Sequence, residues 1–290
     1  MKPYKFIDRL YTDYSGYKQI TQLYHHCIDL YNTTVPLDFY DCEWIDANLS
    51  ALLQAVIYKL NREQNITFST DFDFLIKRFD VFFRNGFVNE GTKHEDIQKS
   101  TLPTQSFETT DSSGYCKYVN EHLMCHRGMP KLTDDLLNRI KDDLLEIFSN
   151  THLHAYYNYE AEKRYPFFVG GQYYPTQHQL KFTMVDLGDG FLPRIQIATA
   201  NTANKIDNNL DAIKWAIAGN STKFAIEKTT GGTGLSSILE YCKANNGTID
   251  IITGNAYWST EFEKTILFKN GRLIENPFFG TTINLIFSKS

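Results

Sequence analysis

No stretch of this 290-residue chain approaches the roughly 20 consecutive apolar residues that span a bilayer, so no membrane-spanning helix is expected. An excess of basic charge is missing too. The 29 Lys and Arg stand against 34 Asp and Glu, a net charge of −5. That balance excludes nucleic-acid binding through an overall positive field and leaves only a local basic patch for it. Cysteine is scarce: five residues, an odd number at irregular spacing, make no disulfide framework and fit reduced thiols in a cytoplasm. The opening Met1-Lys2-Pro3-Tyr4-Lys5-Phe6 has no apolar h-region, which argues against secretion. Internal repeats and low-complexity tracts are also absent. What is there is the composition of a globular chain, 42% hydrophobic and 22% charged, long enough for two domains with a core each.

The first periodic stretch is 17–31, where Ile20, Leu23, Tyr24, Cys27, Ile28 and Tyr31 form one helical stripe. A short strand follows at 35–40. Asp46 can cap a helix with Leu49, Leu52, Leu53, Val56, Ile57 and Leu60 on its apolar face. A strand at 65–69 and a helix at 74–83 complete an alternation that predicts a small α/β unit with a parallel strand pair over 1–90. Residues 91–131 are expected to be a connecting segment, because 86–114 loses all apolar period. From Thr133 a strong helix begins, with Leu136, Leu137, Ile140, Leu144, Ile147 and Phe148 as its stripe. Strands are expected at 179–187, 247–252, 265–268 and 281–287, and a helix at 236–244 after a glycine-rich turn.

Three polar constellations carry the chemistry. Glu146, Asn150 and His154 are spaced i, i+4, i+8, which puts all three on one helical face. A carboxylate one turn from a carboxamide can orient a water and ligate a hard cation through oxygen. In Val185-Asp186-Leu187-Gly188-Asp189-Gly190 a strand ends at a carboxylate, and two glycines let backbone come close to a flat ligand. A carboxylate buried there without an Arg needs a donor, and an adenine amine is one. Finally, Gly231-Gly232-Thr233-Gly234-Leu235 opens a helix whose free amides suit phosphate. No Lys-Ser or Lys-Thr pair follows, so this is not a P-loop. Singly, each has a plainer reading: a solvated face, a strand-to-turn junction, a glycine-rich cap.

Taken together and in this order, the three motifs resemble the GHKL ATPase superfamily of gyrase, heat-shock chaperone, histidine-kinase and mismatch-repair ATPases. Glu146-x-x-x-Asn150-x-x-x-His154-Ala155 is similar to its N box. Asp186-x-Gly188-x-Gly190 and Gly231-Gly232-x-Gly234-Leu235 resemble its two glycine boxes, and Gly280-Thr281-Thr282 its closing strand. The likeness covers about 132–288, within a domain expected over 132–290. Asn150-x-x-x-His154-Ala155-Tyr156 looks most like the anti-sigma-factor serine kinases, whereas the Gly231 region looks more like sensor kinases. It departs from the sensor kinases in lacking a hairpin with a phosphoacceptor His.

The resemblance implies a two-layer α/β sandwich with a mixed sheet, ATP and Mg²⁺ as cofactors, adenine at Asp186 and Mg²⁺ on Asn150. Glu146 would be the catalytic carboxylate. His154, Gly188, Gly190, Gly231, Gly232, Thr233, Gly234, Leu235, Thr281 and Thr282 would bind nucleotide. A lid is expected at 192–230, with a short helix around Leu210–Ile217 and the cations Arg194, Lys214 and Lys223. The module would hydrolyse ATP or phosphorylate a protein partner as a regulatory switch. The alternative is a nucleotide-dependent interaction module without turnover. The resemblance implies a protein partner, to be sought among the products of neighbouring genes, or a homodimer.

More faintly, 1–90 resembles a STAS domain, the anti-anti-sigma fold. There a turn Asp-Ser-Ser-Gly carries the phosphorylated Ser; here Asp46-Ala47-Asn48-Leu49 has no hydroxyl. Asp111-Ser112-Ser113-Gly114 spells the tetrapeptide but reads as a plain polar turn.

Overall fold

The alternation of helix and strand in the first ninety residues is realised as two small parallel sheets with helices around them. The computed structural model describes residues 2–89, 94–156, 159–222, 234–261 and 271–289. Strands β1 (Tyr4–Lys5) and β2 (Asp8–Leu10) lead into helix α1 (Tyr14–Cys27). It starts earlier than the apolar stripe suggests because Asp13 caps it, accepting from the Ser15 and Gly16 amides. Strands β3 (Thr34–Asp38) and β4 (Cys42–Ile45), a 3₁₀ turn at Ala47–Leu49, α2 (Ser50–Gln64) and β5 (Thr67–Ser69) follow. The expected helix at 74–83 is two, α3 (Phe72–Arg78) and α4 (Val81–Arg84). Strand β3 lies between β1 and β5, parallel to both, and β2 pairs parallel with β4.

The rest of the chain builds one larger sheet. Its elements are β6 (Thr101–Phe107), α5 (Ser112–Tyr118), α6 (Asp134–Asn150), β7 (Phe167–Tyr174), β8 (Gln179–Asp186), α7 (Leu192–Thr199), α8 (Asn209–Ile217), α9 (Gly234–Ala244), β9 (Thr248–Ser259) and β10 (Arg272–Ser288). The strand order is β6-β7-β8-β10-β9, antiparallel at every described pairing. The protein is thus α/β as expected, but the larger sheet is not the mixed one expected for 132–290. Its described pairings are all antiparallel, because its strands are joined as hairpins or antiparallel neighbours, and the described parallel pairs lie in the N-terminal lobe. The strand expected at 265–268 lies outside the described residues.

Two further expectations are corrected. The supposed connecting segment 91–131 contains β6, an edge strand paired with β7, and α5, whose Tyr115 and Tyr118 are buried in the second core. Its apolar period is hidden because an edge strand needs few inward residues. Asp111-Ser112-Ser113-Gly114 is the start of α5, with the Asp111 carboxylate accepting from the Gly114 amide at 2.9 Å. Strand β7, Phe167-Phe168-Val169-Gly170-Gly171, is apolar on both faces and gives no alternation to find.

Successive residues of β8 and β10 point to opposite faces. Leu180, Phe182 and Met184, with Ile283, Leu285 and Phe287, join α5, α6, α8 and α9 in one core. Val185 and Leu187 join the N-terminal lobe in the other. The sheet is therefore a middle layer between helices and lobe. On the lobe side the contact is polar as well as apolar. Asn48 donates to Thr183 Oγ1 at 2.8 Å and to Asn284 Oδ1 at 3.1 Å, and Asn284 in turn donates to Asp250 at 3.1 Å. Lys181 Nζ lies 2.6 Å from the Asp46 carboxylate, which also accepts from Trp44 and Thr12.

So Asp46 is not the side-chain cap of α2 that its position suggested; its carboxylate is spent on the sheet. Burial pushes its pKa up, but the Lys181 ammonium and the Trp44 and Thr12 donors outweigh that and hold it below the usual value. A pair this buried is costly to break on one side only. Asp46→Ala and Lys181→Met should each destabilise by about 3–5 kcal/mol in urea unfolding, and the double variant by less than the sum.

Candidate functional site

Helix α6 starts where Thr133 Oγ1 caps it, accepting from the Leu136 amide, and runs to Asn150. It buries Ile140, Leu144, Ile147 and Phe148 against the sheet. Beyond Asn150 the backbone passes into a π-helical turn, Thr151–Ala155. His154, expected on the same face as Glu146 and Asn150, falls in this turn, and its side chain lies outside the described residues. Glu146 Oε2 accepts from the Gly234 amide at 3.0 Å, at the first turn of α9. Asn150 lies one turn on, on the wall of a pocket of about 890 Å³ including its open mouth.

The pocket's walls are mainly apolar, with Ile147, Phe167, Met184, Phe191, Leu235 and Ile283 among them. Its few polar groups converge. Asp186 and Thr281 are register partners across β8 and β10, and both line it. The Asp186 carboxylate accepts from the Gly188 amide at 3.0 Å and is also bonded by Thr281. Burial nevertheless pushes its pKa up to about 7, more than these donors pull it down. Asn150 contributes a buried Oδ1 that accepts no hydrogen bond.

The glycines have definite work here. A Cβ on Gly188 would come within 2.5 Å of the Ala155 carbonyl, so only glycine lets the turn after β8 close on the end of the π-helical turn. Gly190 has φ +73°, a left-handed backbone, and brings the chain beside Thr253. The Phe191 amide then donates to Thr253 Oγ1 at 3.2 Å, which seats the start of α7 over the sheet.

The structure thus brings Asn150, Asp186, Gly190, Leu235 and Thr281 to one pocket. Gly188 supports it from behind, and Gly234 opens α9 beside Glu146. Thr282 is placed elsewhere. It pairs with Val185 and Ile252, both in the lobe-side core, so the pleat turns it away from the pocket. Glu146 is held at α9 rather than among the pocket's lining residues. Gly231, Gly232, Thr233 and Lys223 lie outside the described residues. Of the expected lid, α7 and α8 are described, and Ala212 and Ile213 of α8 are fully buried, so its first part is seated on the domain.

Several lining residues have no motif to announce them. Met184 and Ile283 would have emerged from strict alternation on β8 and β10, whereas β7, buried on both faces, gives no such sign of Phe167. Trp215 and Ala216 of α8 come from an element far from the others in sequence. Lys214 of the same helix instead lies 3.5 Å from Asp211. No protein-family model matches the chain, and a comparison with curated proteins returns no significant relative.

Asp186 makes a prediction independent of any ligand. Its folded-state pKa of about 7 lies above the unfolded carboxyl value of about 3.9. The folded protein therefore holds this proton more tightly, and the group costs stability progressively as pH rises from about 4 through about 7. Asp186→Asn should remove that loss. Relative to wild type, its urea midpoint should be more favourable at pH 8 than at pH 5, by about 1–3 kcal/mol in stability.

Proposed function

We propose that the protein is a Mg-ATP-binding module of the GHKL type that hydrolyses ATP or phosphorylates a protein partner, acting as a nucleotide-dependent switch in the cytoplasm. The observation that carries this reading is the convergence of Asp186, Gly190, Thr281, Asn150 and Leu235 on one apolar-walled pocket. These residues are separated by up to 131 positions in the chain (281 − 150 = 131) yet share a site. A flat base fits apolar walls, and a buried carboxylate with no cation bonded to it wants a donor such as an exocyclic amine.

The residues present also fit a divalent cation. Asn150 Oδ1 is a buried acceptor with nothing donating to it, as a hard metal's oxygen ligand would be before binding. Bound Mg²⁺ would neutralise charge on the phosphates and help orient them. Asn150 would hold it, Asp186 and Thr281 would fix the base, and the α9 amides would meet phosphate oxygens. Glu146 would accept the proton of the attacking water or hydroxyl once displaced from the Gly234 amide. Phosphoryl transfer to water and to a Ser hydroxyl needs the same positioning, so the site residues serve either.

One observation favours the second reading, a module that holds ATP without turning it over. Glu146 is bonded to the backbone of α9 and is not on the pocket's wall. As for the first lobe, its parallel strands and helices support a STAS-like fold, but Asp46-Ala47-Asn48-Leu49 is fully buried against the sheet and carries no hydroxyl. It is then a permanent companion of the ATP domain, not a phosphorylated antagonist.

Calorimetry with Mg-ATP tests the reading, and a wild type with no affinity ends it. Asp186→Asn should weaken ATP binding by about 1–3 kcal/mol, since a carboxamide can present a donor where an acceptor is wanted. Glu146→Ala should keep binding and slow turnover about 10²- to 10⁴-fold, read as label released from γ-labelled ATP. Asn150→Ala should lose the Mg²⁺-dependent part of the affinity. Equal losses of affinity in Glu146→Ala and Asn150→Ala would contradict these roles.

A further inference from the structure

The turn that runs from Asp186 to Gly190 is held from behind by three oxygen atoms. The Leu187 amide donates to Tyr156 Oη at 3.1 Å, and the Asp189 amide to the Ala155 carbonyl at 3.0 Å. The Tyr159 hydroxyl donates to Asp189 Oδ1 at 2.8 Å. The two tyrosine rings also meet edge to face, with centroids 5.3 Å apart. Burial, the bond to Asp189 and the nearby Glu63 carboxylate push the Tyr159 pKa up to about 12, so its hydroxyl stays a donor at neutral pH. Phenylalanine would cover the lobe-side core as well as either ring does; the hydroxyls are what reach the turn.

The chain that supplies Tyr159 has little structure of its own. From Tyr159 to Tyr165 it forms only a 3₁₀ turn, Ala161–Lys163, so its position depends on what grips it. The grip comes from α2 of the N-terminal lobe. The Arg62 guanidinium donates to the carbonyls of Glu162 and Arg164 and lies 4.7 Å over the Tyr165 ring. Glu63 accepts from the Tyr165 hydroxyl, and from Lys59 at 2.7 Å. A single surface contact would hold such a segment weakly, but here two carbonyls and one ring are bound together. A line of contacts therefore runs from α2, along residues 159–165, to the turn beside Asp186.

We propose that Tyr159 is a positioning residue for the pocket, through which helix α2 of the N-terminal lobe fixes the turn 187–189 and so the acceptor presented by Asp186. The inference deepens the ATP reading, on which it rests for the identity of the ligand; none of Arg62, Tyr159 and Tyr165 belongs to a motif box. Since coupling is reciprocal, a base bound at Asp186 tightens residues 159–165 on α2.

The test compares wild type with Tyr159→Phe, which removes one hydroxyl, and with Arg62→Met, which releases the segment at its lobe end. Arg62→Lys keeps the charge without the fork. Without ligand, amide hydrogen exchange is followed by NMR at Leu187 and Asp189, with Phe182 and Met184 of β8, paired on both sides, as controls. Exchange at the two turn amides should speed up about threefold to tenfold in Tyr159→Phe and Arg62→Met, with the strand amides unchanged. Calorimetry with adenosine and with ATP, each with Mg²⁺, should show both affinities falling by a similar factor of about threefold to tenfold, because the base end is common to them. Arg62→Lys should lie between Arg62→Met and wild type. Equal acceleration at turn and strand amides would make these residues merely structural and overturn the proposal. Unchanged exchange at Leu187 and Asp189 would overturn it as well, as would faster exchange with unchanged adenosine affinity; both leave the ATP reading standing. A wild type that binds neither adenosine nor ATP would end the ATP reading, and the exchange pattern alone would then uphold or overturn the hold of α2 on the turn.

Discussion

The pleat of β8 and β10 governs the rest of the structure. On β8, Lys181, Thr183 and Val185 face the N-terminal lobe, while Leu180, Phe182, Met184 and Asp186 face the helices. On β10, Asn284 and Thr282 face the lobe, and Thr281, Ile283 and Leu285 the helices. A slip of one residue would bury Lys181 in the helix-side core and turn Asp186 into the lobe. Docking of the lobe and formation of the pocket floor thus depend on one register. Neither can be altered along these strands without disturbing the other.

The Asp46–Lys181 network and the pocket treat their buried polar groups differently. Around Asp46 and Asn48 on the lobe side they are matched, although Thr282 Oγ1 and Tyr17 Oη on the same side are buried without a partner. Asp46 has Lys181, Trp44 and Thr12, and Asn48 spends its amide on Thr12, Thr183 and Asn284. Such a network adds less net stability than its short distances suggest, because both ions were desolvated to make it. It acts instead on alternatives: any other seating of the lobe strands a buried charge. On the pocket side they are unmatched. Asn150 Oδ1 accepts nothing, and Asp186 has donors too weak to keep its carboxyl near the ordinary value. Groups left in that condition inside a protein are what a ligand can complete.

The same contrast bears on Glu146. Its Oε2 accepts from the Gly234 amide at the first turn of α9, the positive end of that helix. An anionic ligand at that turn and the Glu146 carboxylate would compete for the same amide.

Local chemistry wrote much of this molecule into the sequence. Thr133 and the stripe from Leu136 to Phe148 fix α6, the strand-end Asp186 with its glycines fixes the turn after β8, and the alternation before residue 90 fixes a parallel α/β lobe. Each is decided within a few residues, by caps, period and backbone freedom. Tertiary structure decided what those rules cannot reach. Edge strand β6 and doubly buried β7 have no period of their own, because their neighbours determine which residues are covered. Asp46 looks like a cap until a strand 135 residues away brings Lys181 to it. Thr281 and Thr282 are equivalent in sequence, and only the pairing with Asp186 and Val185 sends one to the pocket and the other to the lobe. Arg194 and Trp215 join the pocket because α7 and α8 fold back over the sheet, a long-range packing choice that no local pattern encodes.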